Sequence, residues 1–413
     1  MLRRDFLTLS LAGTVACAMP NVLTVAADDA DAKPNFSLEN VVSRGDYQNA
    51  RYVFETKKQG TVAFLGGSIT EMDGYRPMVC EDLKRRFPST KFDFVAAGIG
   101  STCSDVGAYR FASDVLDGHN APDLFFVEFA VNDDQDGGFS YEHAVRGMEG
   151  VIRQVRRVNP NVDIVMTFFV NENLMERYRR GEEATSIQAH KAVAAHYGIS
   201  TINLAREIQQ EIDAGTITWQ EFGGVHPAPR GNRICADMIK YLLDNAWKLA
   251  PAKQTVAHEL PKCLDPNSYY GARYLSPESY DLDHGFSYSV PDWSKIPGSF
   301  RMNFAGKPCL CATEPGAETT IKFNGNALAL YVLAGPDAGM VECAIDDAQP
   351  TLHDCFHSFS RGLHYPRAVA LVDALEQKEH VAKIRILERH NENSTGNAVR
   401  ILHVCVNDAS VDK

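Results

Sequence analysis

Val62-Ala63-Phe64-Leu65-Gly66-Gly67-Ser68-Ile69-Thr70 is the stretch whose reading decides the fold. An apolar run stops at Gly-Gly-Ser, and a polar, helix-compatible segment from Glu71 to Phe87 follows. A short apolar run bounded by glycines reads as a buried parallel strand that feeds a turn and then a helix. The turn lifts the Ser68 hydroxyl to the carboxyl end of a strand, where open α/β sheets bind ligands. From Thr61 to about Leu249, apolar runs alternate with amphipathic stretches. Strands are expected over Val62–Leu65, Phe92–Ala96, Leu124–Phe129, Val162–Phe169 and Ser200–Asn203. Helices are expected over Arg76–Phe87, Tyr141–Val158, Met175–His196 and Gly231–Asn245. Such alternation predicts a parallel sheet covered on both faces, a three-layer α/β/α sandwich of flavodoxin-like type.

The texture changes on either side. Residues 28–57 read as a polar leader followed by an irregular or short-strand entry into an α/β domain at 58–249. Residues 250–297, with scattered Pro, Tyr and Asp, read as a linker packing across the surface. Beyond it the pattern is of short strands: Leu310–Ala312, Thr319–Phe323, Ala327–Val332, Met340–Ile345, Ala368–Val372, Val381–Leu387 and Ala398–Val406. Asn324-Gly325-Asn326 and Pro336-Asp337-Ala338-Gly339 supply turns between them. Residues 298–410 are therefore expected to form an all-β sandwich. This part resembles the jelly-roll domains that accompany some carbohydrate esterases.

The 413-residue chain carries a formal charge of −12, which gives no electrostatic reason to expect nucleic acid or an anionic membrane as a partner. Met1-Leu2-Arg3-Arg4-Asp5-Phe6-Leu7 and the mild apolar run through Leu23 resemble a twin-arginine export signal. Residues 1–27 are expected to be removed and the protein exported to the periplasm or beyond. Gly13 and Pro20 interrupt the run, so no transmembrane segment is expected in the mature chain. Ten cysteines are present, without a C-x-x-C pair, and zinc is not expected. Most of the cysteines read as buried small hydrophobes.

Three later blocks complete the chemistry. Ala96-Ala97-Gly98-Ile99-Gly100-Ser101, Val127-Glu128-Phe129-Ala130-Val131-Asn132-Asp133 and Gly224-Val225-His226-Pro227 each follow or interrupt an apolar run. A hydrolytic serine needs a base for its proton and donors for the oxygen that becomes negative. His226 can be the base. Asn132 and the backbone N–H groups near Ser68 and Ser101 can be the donors. Taken singly, Ser68 is as readily a helix N-cap and Asn132 a turn residue. Their order and spacing favour catalysis.

In these four blocks the chain resembles the SGNH, or GDSL-type, hydrolases, from about Thr61 to about Gly231. That resemblance implies a flavodoxin-like fold and a serine esterase. It assigns the nucleophile to Ser68, the base to His226 and oxyanion donors to Asn132 and the backbone at Gly100 and Ser101. No cofactor or metal is implied, and the substrate is an acylated small molecule or carbohydrate, most naturally an acetylated one. The chain departs from the family pattern at Gly67, where aspartate is usual, at Ser101 and Ala130, where glycine is usual, and at Gly223. The last is the place of the aspartate that orients the histidine. A backbone carbonyl near Gly223, Glu221, or a distant carboxylate such as Glu71 or Glu128 could take over that role. Two other readings stand beside the deacetylase: a non-catalytic carbohydrate-binding protein on a hydrolase fold, and a lipase or thioesterase. Arg76 and Arg110, near the first two blocks, are candidate substrate contacts, though helix-face arginines are more often paired or solvated.

Overall fold

The computed structural model describes residues 35–282 and 284–412. The expected export signal at 1–27 lies outside them, and no helix among the described residues is long and apolar enough to cross a membrane.

Six strands make the first sheet: β1 (Val41–Val42), β2 (Gln59–Gly66), β3 (Lys91–Gly98), β4 (Leu124–Glu128), β5 (Asp163–Phe168) and β6 (Ser200–Asn203). Their spatial order is β1-β6-β5-β4-β2-β3. The pairs from β2 to β6 are parallel, and β1 runs antiparallel at the edge beside β6. Leaving out the edge strand, this is the flavodoxin-type order, which switches direction between β2 and β4. The five expected strands are all present; the central β2, β4 and β5 are apolar enough to be buried on both faces, while the edge strand β3 is partly exposed. Val62, Ala63, Phe64 and Leu65 are fully buried, and Phe64 stacks on Phe126 of β4 at 4.7 Å.

Two local expectations change. Met175–His196 is two helices, Glu172–Arg179 and Thr185–His196, separated at Gly181, whose φ of +73° suits glycine. The entry segment is not irregular throughout. It contains a helix over Gln48–Tyr52 that runs on into a wider helical turn over Val53–Lys57.

The C-terminal strands are β7 (Ala272–Tyr274), β8 (Ser287–Ser289), β9 (Cys309–Ala312), β10 (Glu318–Gly325), β11 (Ala327–Ala334), β12 (Gly339–Ile345), β13 (Thr351–Asp354), β14 (Tyr365–Val372), β15 (Lys378–His390) and β16 (Val399–Asn407). They form two antiparallel sheets, β10-β15-β12-β13 and β14-β11-β16-β9-β8, with β7 also pairing β16. The architecture is a β-sandwich. All seven expected strands occur, joined by the short β7, β8 and β13. The segment read as a linker is thus structured. It docks on the α/β part through His258, whose Nε2 lies 2.9 Å from Asp163, and then supplies β7 and β8 to the sandwich.

β11 explains how the two parts join. Its run Ala-Leu-Ala-Leu-Tyr-Val-Leu-Ala is buried at every position. Leu328, Leu330 and Val332 face the sandwich core. Ala329, Tyr331 and Leu333 point the other way, into the core of the α/β part. A strand with period-2 side chains and no polar face has to be covered on both sides. The middle sheet is therefore shared between two cores.

Candidate active site

The parallel register brings the blocks together. Gly66 at the end of β2 lies opposite Gly98 of β3 and Glu128 of β4. Ser68, Gly100-Ser101 and Asn132 all follow within a few residues, so they emerge at one level above the carboxyl ends of adjacent strands. Beneath them Arg110, fully buried, donates to the carbonyl oxygens of Gly66 (2.8 Å) and Ala97 (2.7 Å). Arg110 therefore ties two strand ends together from below. Arg76 donates to the Thr70 carbonyl and pairs with Asp73. Neither candidate arginine is placed as a substrate contact.

Ser68 opens a one-turn helix, Ser68–Glu71, and is half-buried. Its Oγ lies 2.8 Å from His226 Nε2. The turn is built on Glu128, whose Oε1 accepts the Gly67 N–H (2.9 Å) and the Thr70 hydroxyl (2.7 Å). Burial pushes the Glu128 carboxyl up to about 7, against the hydrogen bonds from Thr70 and Gly67 that favour its charged form. Gly67 has a steric reason to be glycine: a Cβ there would overlap the Asn132 carboxamide.

Asn132 sits in the short helix Ala130–Gln135. The next residue, Asp133, anchors that helix. It accepts from the Ser104 amide (2.8 Å) and hydroxyl (2.6 Å) and lies 2.9 Å from His190 Nε2, all of them buried. This Ser104–Asp133–His190 cluster is buried and ties the helix to its neighbours. The Asn132 carboxamide donates from Nδ2 to Asp136 Oδ2 at 2.6 Å.

In the second block, the two candidates are placed differently. The Gly100 N–H is occupied, donating to Glu71 Oε2 at 2.8 Å. The Ser101 N–H meets no acceptor among the described residues, and neither does that of Ser68. Ser101 has φ of +69°, the left-handed backbone that favours glycine, so the serine keeps the conformation of the residue it stands in for. Its hydroxyl accepts from Arg301 Nη2 at 2.6 Å. Cys103 is buried beneath this loop, and burial raises its thiol pKa.

His226 is exposed, on the turn between the helices Trp219–Phe222 and Pro229–Ala246. The turn shows why an aspartate is missing three residues earlier. Gly223 has φ of +108°, and a Cβ on it would overlap the Ala228 amide. That amide closes the turn on the Phe222 carbonyl at 2.7 Å. None of the proposed replacements meets the imidazole. Glu221 closes a capping box with Thr218 (2.8 Å to its N–H) and faces Arg230. Glu71 and Glu128 are held at Gly100 and Gly67. Among the described residues neither these carboxylates nor a backbone carbonyl is hydrogen-bonded to Nδ1, and the only such partner of His226 is Ser68.

Three side chains beside the site carry no motif: Asp136, Arg301 and Tyr365. The last two lie 200 and 229 positions from the groups they touch. Nothing local in the sequence marks them.

Fold and site define a hydrolase of the flavodoxin-like type, with a serine and a histidine in contact at the sheet's carboxyl edge. Residues 64–234 match the GDSL-like Lipase/Acylhydrolase family. Among solved structures, a two-domain esterase (CEX) active on acetylated mannans is similar over 90% of this chain and 99% of its own, at 23% identity and a TM-score of 0.72. Its complex with mannopentaose is similar over 91% and 99%, at 23% identity and a TM-score of 0.71. At that identity the likeness establishes a shared two-domain fold. No curated protein matches the sequence.

Proposed function

We propose that this chain is a serine esterase that removes acetyl groups from carbohydrate. The observation that carries the reading is the 2.8 Å contact between Ser68 Oγ and His226 Nε2, beside the unengaged N–H groups of Ser68 and Ser101. In the first step His226 Nε2 takes the Ser68 proton as Oγ attacks the acyl carbon. The carbonyl electron pair moves onto oxygen, which is met by the Ser68 and Ser101 N–H groups and Asn132 Nδ2. Collapse expels the sugar hydroxyl, which takes the proton from His226. Water, deprotonated by the same imidazole, then attacks the acyl carbon; the Ser68 C–O bond breaks, acetate leaves, and His226 returns the proton to Ser68 Oγ. Ser68 and His226 work as a dyad, with Nδ1 left to solvent. Twin-arginine export is part of the same proposal and rests on the N-terminal sequence.

The carbohydrate part is supported by the shared two-domain architecture of the esterase active on acetylated mannans. Acetylated mannan is the first polymer to assay, with longer acyl esters as the lipase or thioesterase alternative. Ser68→Ala and His226→Ala are each expected to lower turnover of a chromogenic acetyl ester by on the order of 10⁴-fold or more. Uncatalysed background rates in both the wild type and Ser68→Ala would leave the non-catalytic binding reading in its place.

A further inference from the structure

Two oxyanion donors of the α/β part are held by side chains from beyond residue 298. Asp136, just after the helix that carries Asn132, accepts from Asn132 Nδ2 with one oxygen (2.6 Å) and from the Tyr365 hydroxyl with the other (2.6 Å). Tyr365 is the first residue of β14, is only 3% exposed, and is stacked on His357 at 4.9 Å with an interplanar angle of 8°. Across the serine, Arg301 donates to the Ser101 hydroxyl, and its guanidinium covers Gly100 so closely that a Cβ there would overlap it. Arg301 also lies 3.7 Å from Glu71, the carboxylate that takes the Gly100 N–H.

Both donors need such support. The terminal torsion of an asparagine is broad, so an unheld carboxamide swings its N–H away from the oxyanion. Asp136 supplies a fixed acceptor, but a mobile carboxylate beside a developing negative charge also opposes it. The Tyr365 hydroxyl fixes the carboxylate and draws its charge away from the reacting oxygen. Ser101 occupies a left-handed conformation that is unfavourable for a non-glycine residue, and its hydroxyl is bonded by Arg301. Hydrolysis depends on donors placed to a fraction of an ångström.

Resting on the esterase reading above, we propose that Tyr365 and Arg301 are positioning residues for the oxyanion hole. Tyr365 acts through Asp136 on Asn132, and Arg301 acts on the Ser101 loop. The β-sandwich thereby completes a site whose nucleophile and base lie in the other domain.

The test is a double-mutant cycle in the full chain, using p-nitrophenyl acetate, with Tyr365→Phe, Asn132→Ala and the pair. Tyr365→Phe is expected to lower kcat about tenfold with KM unchanged, less than the roughly 10²–10³-fold of losing a donor outright. In the Asn132→Ala background the same change is expected to have no further effect, because the group it positions is gone. Arg301→Met and Ser101→Ala form a parallel cycle. An undiminished kcat in Tyr365→Phe overturns the proposal, as does an equal loss with and without Asn132. If Tyr365→Phe does not fold, Asp136→Asn replaces it in the cycle with the same expectations. Background hydrolysis alone in both the wild type and Ser68→Ala would instead sink the esterase reading itself, so the two failures are distinguishable.

Discussion

At Gly223 one backbone angle explains the most visible departure from the family pattern. With φ of +108° and no room for a Cβ beside the Ala228 amide, this position cannot carry the aspartate that orients the histidine elsewhere in the family. Restoring it is therefore expected to fail. Gly223→Asp should destabilise the protein by roughly 1–3 kcal/mol, the cost of forcing a side chain into that conformation. It should also lower esterase activity, since the turn that carries His226 is displaced. Urea denaturation and the acetyl-ester assay check both, and a gain in activity would show that the turn accommodates the acid. Ser101 shows the opposite tolerance. Here a left-handed residue that is not glycine is accommodated, with its hydroxyl bonded by Arg301.

Among elements, the ends of β4 and of the helix Tyr141–Val158 carry the two groups whose titration should shape stability. Glu128 ends β4 with its pKa raised by burial to about 7. The folded state then holds a proton that the unfolded chain has already lost, so stability is full below the unfolded carboxyl pKa and falls as pH rises through about 7. His143 lies on the helix and faces Asp105 and Asp373, beside Arg146, which itself pairs with Asp265 and Asp373. Burial alone would lower the His143 pKa, but the Asp105 and Asp373 carboxylates beside it outweigh that and raise the value to about 9. Its contribution is complete below the unfolded histidine pKa and is lost as pH rises through about 9. Thermal melts across pH 4–10 should thus show two descending windows. Glu128→Gln should flatten the acidic one and His143→Asn the alkaline one. Melts in which either substitution leaves its window unchanged would refute that assignment.

For the whole molecule, the decisive feature is a sheet with two apolar faces. β11 and β16 send alternate residues into the sandwich core and into the core of the α/β part. An interface of this kind removes the relative motion that separate domains usually have. It also fixes Arg301 and Tyr365 over the site. Leu333→Asp, on the face turned toward the α/β part, should cost several kcal/mol by burying an unpaired charge. Stability and turnover should fall together, even though Leu333 is not one of the proposed catalytic residues. Parallel measurement of denaturation midpoint and kcat in the folded fraction checks this. A variant that is destabilised yet fully active when folded would show that docking and site geometry are independent.

Taken alone, the sequence determined what depends on local pattern. The strands are legible because residues buried on both faces, such as Val62–Leu65, must be apolar without interruption. Ser68, Asn132 and His226 are legible because each follows such a strand or precedes a helix start. The break at Gly181, the short β7, β8 and β13, and the conformation at Gly223 are not legible, since turn geometry and sheet pairing set them. Tertiary structure alone decided which N–H groups remain free, why Glu221, Glu71 and Glu128 are occupied elsewhere, and that Arg301 and Tyr365 reach the site. Those facts depend on contacts between residues as much as 229 positions apart. No periodicity or spacing along a chain encodes which distant side chain will fill a given hydrogen bond.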